Sequence, residues 1–115
     1  MKLYTSKDQT AKLIELGFER PKGWCNEGIS SRLIMAKHKA DDEGFNYSIG
    51  ELISFLPKSI QVNDCNFALS ISGGIDNWLV EYNNKAFGSQ AGVLKAELID
   101  ALFTEIVILK EEGVI

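Results

Sequence analysis

From Ser89 to Glu112 the chain runs without proline and with more apolar than polar residues, and no other stretch limits its fold as strongly. The polar positions Glu97, Asp100, Thr104, Glu105 and Glu111 form a narrow stripe at roughly helical spacing. Leu94, Leu98, Ile99, Leu102, Phe103, Ile106, Val107 and Leu109 cover most of the remainder. An apolar arc this wide predicts a closing helix over 89–112 that is touched on more than one side, by a sheet and a second helix or by a subunit. Gly113 supplies the stop, and Val114 follows where it can fold back on Leu109.

Two further helices are punctuated in the sequence. Thr5 can cap a first helix over 6–16, with Asp8 in its first turn, near the positive end of the dipole. Gly17 ends it, and Phe18 stands where a left-handed ending returns it to Leu13. Ser48-Ile49-Gly50-Glu51 is a capping box, with Tyr47 and Leu52 at the staple positions around it. Ile49, Leu52, Ile53 and Leu56 then recur on one face, and Pro57 disfavours helical geometry at Leu56.

The strands are read from period two. Phe67, Leu69 and Ile71 alternate with Ala68, Ser70 and Ser72, while Trp78, Val80 and Tyr82 share a face opposite Glu81. Gly73-Gly74-Ile75-Asp76 makes the turn of a hairpin. Ile60 and Val62 allow one more strand over 59–63, and Arg32–Lys37 another at a sheet edge. The expectation is one α+β domain over 1–115: two layers, helices on one face of a small antiparallel sheet, order α-(β)-α-β-β-α.

Charge and motif narrow the function classes. The net charge of −4 sits in the second half, where 58–115 carry four basic and eight acidic residues against eight and eight in 1–57. That balance argues against a phosphate-tracking surface there. No apolar run reaches the ~18 residues that span a membrane. The start lacks the apolar core of a signal peptide, so the expected location is cytoplasmic. Cys25 and Cys65 then read as free thiols.

The chemistry-bearing residues are few. His38 is the only histidine, and no cysteine pair at ligand spacing accompanies it, so neither a metal nor another cofactor is implied. Trp24, Cys25 and His38 mark the one place for a ligand cleft or thiol nucleophile, although a catalytic thiol needs a partner that sequence does not show. Arg32, Lys37 and Lys39, near Phe45 and Tyr47, form a short basic-aromatic cluster, closely followed by three acids. Ser72-Gly73-Gly74 has neither the helix nor the lysine of a phosphate loop. Trp78 and Tyr82 share a strand face that is either core or partner surface. Asn84 and Lys85, in the adjoining 83–88 loop, would be its rim.

Ser48-Ile49-Gly50-Glu51-Leu52-Ile53-Ser54-Phe55-Leu56-Pro57, Trp78-Leu79-Val80-Glu81-Tyr82, and Glu97-Leu98-Ile99-Asp100-Ala101-Leu102 with the ending Glu111-Glu112-Gly113-Val114-Ile115 together resemble a family. It is a family of small uncharacterised proteins of gut Bacteroidales and their phages and mobile elements. The likeness spans roughly the last two-thirds of the chain. It implies a setting, an accessory gene of a mobile element or prophage, and no mechanism. The leading expectation is a non-enzymatic binding or adaptor protein working through protein contacts, with a homodimer among its forms. The alternatives are a small-ligand binder or enzyme at the Trp24/Cys25/His38 cleft, and a nucleic-acid-binding accessory protein.

Overall fold

The computed structural model describes residues 2–19, 21 and 46–115. Three helices and a four-stranded antiparallel sheet follow one another as α-α-β-β-β-β-α: α1 (Lys7–Glu15), α2 (Ile49–Phe55), β1 (Ser59–Val62), β2 (Cys65–Gly73), β3 (Trp78–Asn84), β4 (Gly88–Lys95) and α3 (Leu98–Glu111). The strands form a meander in the order β1-β2-β3-β4. The edge strand expected over Arg32–Lys37 lies outside the described residues. Among the described residues, no helix is long and apolar enough to cross a membrane.

Local chemistry sets the helix ends. Ser48 accepts from the Glu51 amide, and its own amide donates to the Glu51 carboxylate at 3.2 Å, so the capping box is closed. Leu56 turns extended just before Pro57, as the ring requires. α1 carries a second such box, on Ser6 and Gln9. The cap therefore falls on Ser6, one residue after the expected Thr5, whose hydroxyl accepts from the Tyr47 amide at 2.9 Å. At the far end the Phe18 amide bonds the Leu13 carbonyl and Gly17 takes φ +98°, a left-handed ending.

The largest departure from expectation concerns 89–97. These residues form β4 and a short link, and α3 begins only at Leu98, with Glu97 at its N-cap. Gly88, Gly92 and β-branched Val93 give this stretch little helical preference, and β3 offers it an open edge to pair with. Register runs Val80↔Val93 and then Tyr82↔Gln90, so β4 carries one extra residue, a bulge with Ala91 at φ +52°. The β1–β2 link is a two-residue turn, Asn63-Asp64, with both φ positive. That is the hairpin geometry Asn and Asp tolerate best after glycine.

Packing follows the pleat. Phe67, Val80, Tyr82 and Val93 are buried on one face of the sheet, while Ala68, Ser72, Asn83 and Leu94 on the other are exposed. α3 packs on β3 and β4, and α2 packs beside it on α3. Leu98, Ile99, Ala101, Leu102, Ile106 and Leu109 all enter the core. The wide arc of this helix is thus covered largely within the chain, which is why it looked touched on more than one side. Glu105 corrects the polar stripe: it lies on the inward face and is wholly buried. The α1 end is tied to α3 through Asp100, which accepts from Gln9 Nε2 at 2.7 Å and from Lys2 Nζ at 3.0 Å.

Candidate binding surface at one end of the sheet

The β2–β3 turn and the β4–α3 link meet at one end of the sheet. Gly73 pairs with Trp78 across the hairpin, and the Gly74 amide donates to the Asn77 carbonyl at 2.8 Å, which leaves Ile75 and Asp76 at the tip. The indole of Trp78 lies over Gly73. A Cβ added at Gly73 would stand 3.2 Å from the ring, so a side chain there would push it aside. Ala96 and Glu97 form the opposite wall, and the Glu97 carboxylate is held by the Lys2 amide at 2.9 Å.

Between these walls is an open concavity of about 350 Å³. Trp78, Asn77, Asp76 and Glu97 line it together with Gly74, Ile75 and Ala96, which brings one aromatic and two acidic residues to the same place. Ile75, 99% exposed, projects at its edge, and Leu94 on the outward sheet face is 58% exposed. Lys95 is paired in register with Trp78, and its charge is felt at Asp100. Burial alone would raise the Asp100 carboxyl, but the bonds from Gln9 and Lys2 and the charge of Lys95 together hold it below its ordinary value. An apolar tip beside an aromatic wall with a carboxylate rim suits a contact with an apolar and basic surface.

The expected interface residues are separated by the fold. Trp78 is half-buried and belongs to this concavity. Tyr82 belongs to the core rather than to a surface: it is fully buried, and its hydroxyl donates to the Pro57 carbonyl at 2.7 Å. Asn84 and Lys85 stand at the opposite end of β3. There Asn84 Oδ1 accepts from the Ala86 and Phe87 amides and builds the turn, while Lys85 is exposed. Trp24, Cys25 and His38, and likewise Arg32, Lys37 and Lys39, lie outside the described residues. Among the described residues, no group of His, Cys, Asp or Glu is placed to hold a metal ion.

Ile75 is the surface residue that period and motif do not single out. Its signal was an aliphatic side chain inside a Gly-Gly turn, where polar residues are the rule. No family model matches the chain, and no curated protein or solved structure does.

Proposed function

We propose that this chain is a non-enzymatic binding or adaptor protein that engages another polypeptide at the 73–78 end of its sheet. It would serve as a cytoplasmic accessory protein of the phage or mobile-element kind that the resemblance implies. The supporting observation is the fully exposed Ile75 beside the Trp78 concavity with its carboxylate rim. In this reading the helices share one face of the sheet as a single layer, and the turn end is left for the partner. The partner's matching feature is an apolar side chain next to a lysine or arginine, which also suits a chain of net charge −4.

Asp76→Arg tests that chemistry at an exposed position where the fold has little to lose. Capture from the native host, quantified by mass spectrometry, is expected to recover a partner with the wild type and to lose it with Asp76→Arg. Light scattering run alongside reads a second copy of this chain as the partner if the wild type is a dimer and the variant a monomer. A partner held equally by both proteins, or none captured and a monomer throughout, rules the proposal out.

A further inference from the structure

Glu105 has no exposed surface, and among the described residues neither of its carboxylate oxygens meets a hydrogen-bond donor. It lies on the inward face of α3 with Leu98, Leu102 and Leu109, one or two helical turns away along the same stripe. An ionised carboxylate in such surroundings is far more costly than the neutral acid.

Among the described residues, the neighbouring elements do not compensate it. β3 brings Tyr82, whose proton is committed to the Pro57 carbonyl and whose phenol is pushed up to about 12, first by burial and then by the charge of Glu105. Glu81 points to the other face of the sheet. On α2, Glu51 is bonded to the cap of its own helix. Lys95, at the end of β4, acts on Asp100, and Lys12 of α1 approaches Glu111 at 3.8 Å. On α3 itself Lys110 sits over the Phe18 ring at 5.6 Å, and Glu112 at the C-cap repels. Burial first, and Glu112 second, raise the Glu105 carboxyl to about 7.

We propose that Glu105 is a protonation latch for the last helix: α3 docks on the sheet with this carboxyl neutral, and loss of the proton loosens the docking. The sign follows from linkage. Between the ordinary 4.5 and about 7 the folded chain keeps a proton that the unfolded chain has released. The stability this proton confers is therefore lost as pH rises through that window, and the loss levels off above it.

Denaturation midpoints of the full chain from about pH 5 to about pH 8 test the latch in wild type, Glu105→Gln and Glu105→Leu. The wild-type midpoint is expected to fall with rising pH while both variants stay level. The 98–109 amides, corrected for the intrinsic pH dependence of exchange, are expected to open more in wild type at the upper end. Parallel profiles in all three proteins, or equal protection at both ends, would overturn the proposal. The wild-type carboxyl carbon shift of Glu105 keeps the test independent of how the variants fold. Titration near 7 supports the latch, and titration near 4.5 refutes it.

Discussion

Ser6 and Ser48 close their helices in the same way: each hydroxyl oxygen accepts from the third helical amide, and the side chain three residues on accepts from the serine's own amide. Short-range chemistry of this kind is complete within four residues, so the Ser48 box could be read from the sequence. The neighbouring Thr5-Ser6 pair could not, because either residue can cap. The choice is made by Tyr47, forty-two positions away, whose amide claims the Thr5 hydroxyl. Ser48→Ala is expected to cost about 1 kcal/mol, seen as a lower denaturation midpoint at unchanged slope. Asp64 holds φ +65°, a conformation that strains a residue with a Cβ. Asp64→Gly should therefore raise the midpoint, by about 0.5 kcal/mol once glycine's greater freedom in the unfolded chain is subtracted.

Among the elements, the helices over 7–15 and 49–55 and the central hairpin were legible because caps, stops and two-residue alternation are local signals. β4 was not. Alone, Gly88–Lys95 has no strong period, and it becomes a strand because β3 presents an edge to it. By apolar content alone it merges with α3 into one long helix. Glu105 is hidden for a related reason: residue type groups it with its polar neighbours, although the spacing Leu98–Leu102–Glu105–Leu109 sets it on the apolar stripe. Leu102 is wholly buried in the core. Leu102→Ala is expected to cost about 3 kcal/mol, whereas Leu94→Ala, on the exposed face, should stay within about 0.5 kcal/mol by the same denaturation measurement. Asp100 and Glu105 give α3 opposite responses to acid. The bonds to Asp100 are lost as pH falls through its lowered pKa, while the Glu105 contribution, on the order of 3 kcal/mol, is lost as pH rises toward about 7.

At the scale of the whole molecule, the apolar face of the last helix and the Tyr82 side of the sheet are core. Neither feature is therefore free to hold a partner. Among the described residues, what remains outside is a small set of exposed large apolar residues, with Ile75 and Phe87 on turns at opposite ends of β3. Scattered exposed apolar side chains are ordinary on proteins. The turn holding Ile75 differs in having an indole wall and two carboxylates beside it. No local sequence pattern could announce this, since it joins the 73–78 turn to Ala96 and Glu97, some twenty positions on.

The matched pair Ile75→Asp and Phe87→Asp tests the central claim most directly. Both place one charge on an exposed turn, 99% and 67% accessible respectively, so both variants should fold. Quantitative capture from the native host is expected to show the partner lost with Ile75→Asp and kept with Phe87→Asp. A partner kept by Ile75→Asp, or lost with Phe87→Asp alone, would contradict the assignment of binding to this end of the sheet.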